Sequence, residues 1–190
     1  MVSPADPPRR LRGAPLFRDR SLIPAEAIRL MALGLLAEAP RAYGDLAGEI
    51  RYFTSNFVGP SLDLMGSSIE LLRTQGLIEP VEGQGMADNA VMRLLPAGRE
   101  ALEELLQARL GQGQGDINRL ALRLKLRFLA FLPEAARAAQ IAQIAENIDS
   151  ELARLVDVRR RNANAPALFL DWIDRDIAAL KAHRAALQTG

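Results

Sequence analysis

Three polar residues at intervals of three could read nucleic-acid bases if the segment that holds them is helical. Ser67, Glu70 and Arg73 have the spacing that places side chains on one face of an α-helix. An arginine can donate two hydrogen bonds to guanine, and a glutamate can accept one from cytosine. Every exposed helix carries such residues, so an ordinary solvated face is the alternative. The place of this helix in the fold decides between the two interpretations.

Further candidates for DNA contact lie on both sides of this segment. Ser61 is the N-cap residue expected at the start of the same helix, and Asn89 and Arg93 belong to a predicted hairpin that follows it. The N-terminal segment 1–20 is rich in proline and arginine, and its basic candidates are Arg9, Arg10 and Arg12. We expect a flexible basic arm there, which could follow phosphates or enter a minor groove. A disordered tail without function explains the same composition equally well.

The elements around Arg73 predict a winged helix-turn-helix. Helical spacing begins at Pro24 and ends at Ala39 and Pro40, and a short second helix should run from Tyr43 to about Arg51. An irregular stretch is expected over 53–60, and a third helix from Ser61 to Gly76. Two candidate strands follow at 77–82 and 90–94. Three helices and a β-hairpin in this order predict that the third helix enters a DNA major groove.

The chain beyond Pro96 is predicted to be helical, with breaks at 111–115, at Pro133 and at 162–166. Its last two helices carry apolar residues at spacings of three and four, the pattern of coiled-coil seams. We expect these two seams to form a symmetric homodimer interface. The interface residues predicted are Ile141, Ile144, Ile148, Leu152 and Leu155 in one helix, and Leu170, Ile173, Ile177, Leu180 and Leu187 in the other.

Composition excludes several classes of protein. The 190 residues include no cysteine and one histidine, so a disulfide framework and a cysteine-based zinc site are excluded, and we expect no metal site and no cofactor. No nucleophile motif is present, so we expect no catalytic residue and no enzyme. No secretory signal or membrane-spanning run is present, which predicts a cytoplasmic chain that does not contact membranes. The net charge is +3 over residues 1–20, −4 over 21–100 and +2 over 101–190.

Several segments together resemble the PadR-like transcriptional regulators that carry a long C-terminal helical domain. "ALGLLAEAPRAYGDLAGEI" is similar to the first two helices of that family, "SSIELLRTQGLIEP" to the end of its recognition helix and first wing strand, and "MRLLPAGREALEEL" to its second wing strand and next helix. Segments 131–155 and 167–180 resemble its two-helix dimerisation region. The resemblance implies a dimeric DNA-binding regulator, usually a repressor.

Trp172 is the only tryptophan, and it lies beside Phe169 at the start of the last predicted helix. Because some members of the resembled family bind planar ligands near the dimer interface, these two residues could form a wall of an effector pocket. Core or interface packing is the commoner role of a single tryptophan. The sequence does not identify an effector.

The sequence therefore predicts a mostly α fold, in which an N-terminal winged helix-turn-helix with a small β-hairpin wing precedes a C-terminal helical dimerisation region. The predicted limits are 1–20 for the arm, 21–100 for the winged helix and 101–190 for the dimerisation domain. The predicted function is a homodimeric transcriptional regulator, most simply a repressor, which binds double-stranded operator DNA and is released by a small molecule or a protein. The alternative is a protein-interaction adaptor or antirepressor, because residues 21–100 carry −4 and DNA is itself negative.

Overall fold

The computed structural model describes residues 24–58, 65–82, 89–110 and 115–188. Three helices and a small sheet occupy the first part of this chain, and four helices follow. The elements are α1 (Pro24–Glu38), β1 (Arg41–Ala42), α2 (Tyr43–Val58), α3 (Met65–Thr74), β2 (Ile78–Glu82), β3 (Val91–Leu94), α4 (Pro96–Gln107), α5 (Asp116–Phe128), α6 (Glu134–Arg161) and α7 (Ala167–Ala186). This order confirms the predicted fold, a winged helix followed by a helical C-terminal region.

The chain folds into two compact units. Among the described residues, the winged-helix unit contains those up to 99 together with those within 108–124, and the helical unit contains 100–107 together with 125–188. The boundaries fall inside α4, at its last residue and inside α5. The predicted domain limits at residues 20 and 100 stay a prediction.

Helix α1 forms the core of the winged-helix unit. It packs against α2, α3 and β3, and more than half of its side chains are buried. Eight of them are buried: Ala27, Ile28, Leu30, Met31, Ala32, Leu33, Leu35 and Leu36. A fully buried leucine or isoleucine stabilises a fold by about 1.5–3 kcal/mol relative to an exposed one. The helices around α1 can therefore be short and polar on their outer faces.

Helix α2 is longer than the sequence predicts. An irregular stretch is expected over 53–60, but the helix continues to Val58. Thr54 is 4% exposed, and its hydroxyl donates to the carbonyl oxygen one turn earlier at 2.8 Å. The Asn56 amide donates to the Tyr52 carbonyl oxygen at 2.6 Å. Because these short polar side chains bond to carbonyls within the helix, they do not end it, and the prediction is wrong for that reason.

The sheet has three antiparallel strands in the order β1-β3-β2. The sequence predicts β2 and β3 but not β1, because a two-residue strand is too short to show alternation. The register pairs Arg41 with Met92, and Glu79 with Arg93. Pro80 has no N–H to donate, and β2 tolerates it as an edge strand with a register shift between Pro80 and Glu82.

Arg41 connects the first three elements of the chain. Its guanidinium contacts Glu38 at the end of α1 and Glu49 in α2, each at 2.7 Å, and donates to the Leu35 carbonyl oxygen at 3.3 Å. The same oxygen also accepts from the Ala39 N–H at 3.3 Å, so the arginine adds a second donor at the C-terminal end of α1. This bridge fixes the chain direction from α1 into β1 and α2.

Gly98 allows the first turn of α4 to begin close to the sheet. The Leu95 N–H donates to the Leu77 carbonyl oxygen at 3.0 Å. A Cβ atom at Gly98 would lie 2.2 Å from that same oxygen and 2.6 Å from a methyl carbon of Leu94. No real Cβ makes such a backbone contact, so the wing and the start of α4 require glycine here.

A buried lysine organises the helical unit. Lys125 of α5 is 1% exposed, and its amine donates to the Leu106 carbonyl oxygen, to the Leu105 carbonyl oxygen at 3.3 Å and to Gln140 Oε1 of α6 at 3.2 Å. Gln140 Nε2 in turn donates to the Gln107 carbonyl oxygen at 3.2 Å. These are the last carbonyls of α4, so α5 and α6 together cap that helix. Burial lowers the pKa of Lys125 to about 8.

Helices α6 and α7 form an antiparallel hairpin. Arg159 pairs with Asp174 at 3.0 Å near the turn, and Arg184 pairs with Asp149 at 3.1 Å farther from it. Pro133 and Pro166 precede the two helices as their N-cap residues, which suits proline because the first turn of a helix leaves its N–H groups unpaired. No described helix is long and apolar enough to cross a membrane.

Candidate nucleic-acid interface

Helix α3 ends in the way that its glycine predicts. Gly76 has a φ of +69°, and its N–H donates to the Arg73 carbonyl oxygen at 2.9 Å. The Leu77 N–H reaches back to the Leu72 carbonyl oxygen, also at 2.9 Å. This pair of bonds is a Schellman motif, which places a residue without Cβ in the left-handed region. The motif directs the chain from α3 into β2 and so fixes the helix relative to the wing.

The outer face of α3 carries two of the predicted contact residues. Ile69 and Leu72 are buried on the inner face, whereas Glu70 is partly exposed and Arg73 is exposed. The predicted contact residue Ser67 lies in α3, but its side chain is outside the described residues, as is Ser61. Arg73 lies in the last turn of α3, next to the Schellman motif. The structure therefore brings Glu70 and Arg73 together on a solvent-facing surface.

Glu70 and Arg73 form an ion pair with each other. Arg73 Nη2 lies 2.5 Å from Glu70 Oε1, and Nε lies 3.2 Å from the same oxygen. The hydrogen bond from Arg73 lowers the pKa of the Glu70 carboxyl, and the same bond raises the pKa of the Arg73 guanidinium. Both groups are thus charged at neutral pH, but their charges cancel locally.

Arg93 in the wing is paired in the same way. Strand register places it directly opposite Glu79, and its guanidinium donates to Glu79 through Nη2 and through Nε at 2.7 Å. Asn89 is exposed just before β3, beside the buried Ala90. The Ala90 carbonyl oxygen accepts from the Tyr43 N–H at 2.8 Å, which anchors this side of the wing to the start of α2. The arm residues Arg9, Arg10 and Arg12 are outside the described residues.

Two exposed residues of α2 were missed by the sequence analysis. Tyr52 is 72% exposed, and Arg51 beside it is also exposed. In a helix-turn-helix, the helix before the recognition helix crosses the DNA backbone, where a phenol and a guanidinium can donate to phosphates. They were missed because the second helix was predicted to end near Arg51, so Tyr52 was not assigned to any helix.

Comparison with known families gives the class of the protein. A family model described as "Putative AphA-like transcriptional regulator" matches residues 17–189. The chain belongs to this family. The prediction of a transcriptional regulator is thereby confirmed, whereas the PadR-like assignment stays a prediction. The AphA-like family is one of regulators rather than a class of enzymes.

Comparisons with curated proteins and with solved structures give less information about this AphA-like chain. No curated protein matches it significantly. Among solved structures, "The Crystal Structure of smu.1604c from Streptococcus mutans UA159" is similar over 85% of this chain and 96% of that one. The sequence identity is 17% and the TM-score is 0.38.

The seam residues predicted in the AphA-like chain lie in α6 and α7, except for Leu187, which follows the last residue of α7. Four of them are buried within the chain, namely Ile144, Ile148, Ile173 and Ile177. The other six are half-buried, namely Ile141, Leu152, Leu155, Leu170, Leu180 and Leu187. The two seams therefore pack against each other within one chain. Their role between two chains stays a prediction.

The predicted effector residues lie at the surface of α7. Trp172 is 67% exposed and Phe169 is 43% exposed, and Leu168 beside them is 78% exposed. Their spacings of one, three and four place all three on one side of the first turns of α7. Within the part of the chain that the structure describes, no cluster of histidine, aspartate or glutamate side chains is placed to hold a metal ion.

Proposed function

We propose that the chain is a homodimeric, PadR-like DNA-binding regulator that represses transcription in the cytoplasm by occupying operator DNA. The observation that carries this proposal is the exposed Glu70–Arg73 face on the third helix of a winged helix, in a chain of the AphA-like regulator family. Residues 1–20 serve as a basic arm, 21–100 as the DNA-binding domain and 101–190 as the dimerisation domain.

Two further residues extend this interface toward the DNA backbone. Arg51 and Tyr52 are exposed on α2, and neither takes part in an ion pair within the described residues. Together with Asn89 and Arg93 of the wing, they supply contacts to phosphates, which position a protein on duplex DNA without reading its sequence. Arg73 then supplies the sequence-dependent contact.

Salt-dependent binding to the promoter DNA of the protein itself tests this function. Arg73→Ala should weaken binding about tenfold to a hundredfold and relax sequence preference, whereas Arg51→Ala should weaken all sequences alike. Arg154→Ala is the matched control, because it removes the same charge from a glutamate–arginine pair of the same spacing on α6, outside the proposed DNA interface. Deletion of residues 1–20 should flatten the dependence of affinity on salt. Equal affinities for all variants would refute the assignment of the interface.

Dimerisation is proposed through the C-terminal hairpin. The exposed Leu168, Phe169 and Trp172 form an apolar surface that a second chain could cover together with the half-buried seam residues. Light scattering at micromolar concentration should give about twice the chain mass of 20.8 kDa. Trp172→Glu should shift the protein toward monomer, and Val81→Glu in β2 is the control for an added charge on an exposed apolar residue. A wild-type monomer at that concentration contradicts the proposal.

A small molecule or protein that contacts Trp172 and Phe169 is the proposed release signal. A ligand that favours one spacing of the two winged helices would shift the dimer between states that bind operator well or badly. The fluorescence of Trp172, the only tryptophan, reports such binding directly. Compounds that quench it should also change operator affinity.

An adaptor or antirepressor function is the second candidate, and one observation favours it. Residues 21–100 carry −4, and both Arg73 and Arg93 are already paired with carboxylates. A surface neutralised in this way can dock a protein as readily as DNA. Failure of the full-length protein and of all its variants to bind any duplex at low salt would favour this function.

A further inference from the structure

The two arginines best placed to meet DNA are each held by an acidic neighbour. Arg73 is paired with Glu70 one turn earlier on α3, and each side chain is 42% exposed. Arg93 is paired with Glu79 across the wing, with side chains 54% and 38% exposed. The first pairing is set by helical spacing and the second by strand register. Both are therefore built into the elements rather than chance contacts of mobile side chains.

Such pairs change how an arginine can bind a phosphate. An exposed ion pair is weak, because water screens it and two long side chains must be ordered. The arginine can leave its partner, but the carboxylate stays beside it and repels an approaching phosphate. The release of counterions that drives nonspecific binding depends on cations that neutralise phosphates. An arginine already neutralised by a carboxylate contributes much less to that release.

A base pair can form hydrogen bonds with both Arg73 and Glu70 of α3, whereas a phosphate can bond only to the arginine. In the major groove, guanine presents two acceptors to an arginine, and the cytosine paired with it presents an amino donor to a carboxylate. A G·C pair therefore offers partners to Arg73 and Glu70 together. A phosphate, by contrast, attracts only the guanidinium of Arg73 and repels the carboxylate of Glu70.

We propose that Glu70 and Glu79 compete with DNA phosphates for Arg73 and Arg93, and that Glu70 is thereby a specificity-determining residue. They suppress binding to random duplex DNA, and in α3 a suitably placed G·C pair restores the lost affinity. This inference rests on the proposed DNA-binding function and adds a role for the acidic residues of the interface. Part of the negative charge of residues 21–100 thus acts to weaken binding to random DNA.

Substitutions that remove the negative charge of each glutamate test the competition. Full-length Glu70→Gln, Glu79→Gln and the double variant are titrated with a random-sequence duplex and with a duplex of the protein's own promoter, across a salt series. One additional effective phosphate contact steepens the salt slope by about one and raises affinity about fivefold to tenfold at 0.1 M salt. We expect that gain on the random duplex for each substitution. The ratio of promoter to random affinity should fall for Glu70→Gln and stay unchanged for Glu79→Gln, because a phosphate contact by Arg93 strengthens both complexes alike.

Glu151→Gln is the matched control. Glu151 and Arg154 form the same type of pair on α6, with Nη2 and Oε1 2.5 Å apart and the same spacing of three residues. The substitution changes net charge equally but lies outside the proposed interface. If Glu70→Gln and Glu79→Gln bind random DNA no better than Glu151→Gln, while the wild type binds its promoter, the competition is refuted and the DNA-binding function stands. If no variant binds any duplex at low salt, the DNA-binding function itself fails, and this inference fails with it.

Discussion

Two arginines of the winged-helix unit and one lysine of the helical unit stand in opposite environments. Arg73 and Arg93 lie at the surface of the first unit, each against a carboxylate. Lys125 lies inside the second unit, 1% exposed, where its amine donates to oxygens of Leu106 and Gln140. An arginine in a surface ion pair can exchange its carboxylate for water or a ligand at little cost in free energy. A buried amine cannot leave without depriving several buried oxygens of their hydrogen-bond donor. The first arrangement suits binding, and the second suits the joining of helices.

The largest expected effect concerns Lys125 and depends on pH. Burial lowers its pKa from 10.5 to about 8, so between these values the unfolded chain binds more protons than the folded chain. Stability contributed by this group therefore rises with pH across that window, by up to about 3 kcal/mol, and is constant below it. Chemical denaturation from neutral pH to about pH 10 should show this rise for the wild type relative to Lys125→Met.

Lys181→Met provides the control for that series. Lys181 is the other lysine of the chain, and it is exposed on α7. Its removal should leave the alkaline rise in stability intact. Parallel pH profiles for the wild type and Lys125→Met would show that the buried amine does not titrate as its surroundings require, and the contrast between the two units would lose its main support.

Gln140→Leu should have the next largest effect on the free energy of unfolding. It tests the hydrogen bonds of the network separately from the charge of Lys125. The substitution removes the donor to the Gln107 carbonyl oxygen and the acceptor for Lys125. We expect a loss of about 1–2 kcal/mol in the free energy of unfolding. The alkaline rise should persist, because the amine remains buried. Gln107→Leu is the control, since the Gln107 side chain is exposed and only its backbone joins the network.

The contrast between the units also explains what the sequence could predict. Periodicity located α1, α3, α6 and α7, because a buried stripe repeats along a helix, and Gly76 marked the end of α3. The same periodicity brought Glu70 and Arg73 to one face. Lys125 was missed, because nothing in its neighbourhood in sequence distinguishes a buried lysine from a solvated one. Its partners on α4 and α6 are 15 to 20 residues away and meet it only in the folded chain.

A smaller effect is expected at the ion pairs between α6 and α7. Arg159 and Asp174 lie on different helices, with side chains 32% and 51% exposed. Their exposure is similar to that of the surface pairs of the winged helix, but this pair joins two helices. A double-mutant cycle with Arg159→Gln and Asp174→Asn should give a coupling of about 0.2–1 kcal/mol. A coupling as large as the effect of Gln140→Leu would mean that exposure does not determine the strength of these contacts.

The smallest expected effect on stability is that of Glu70→Gln and Glu79→Gln. Both carboxylates contact their arginines at the surface, where water replaces a lost partner, so thermal unfolding should be unchanged within error. Thermal melts of both variants, with Glu151→Gln beside them, measure this. If the melting temperature is unchanged, the folded population is the same in each variant. Any gain in DNA affinity then arises at the interface. A clear loss of stability in either variant would instead make that pair a structural contact like the Lys125 network, and the distinction between exchangeable and fixed charge would fail at that position.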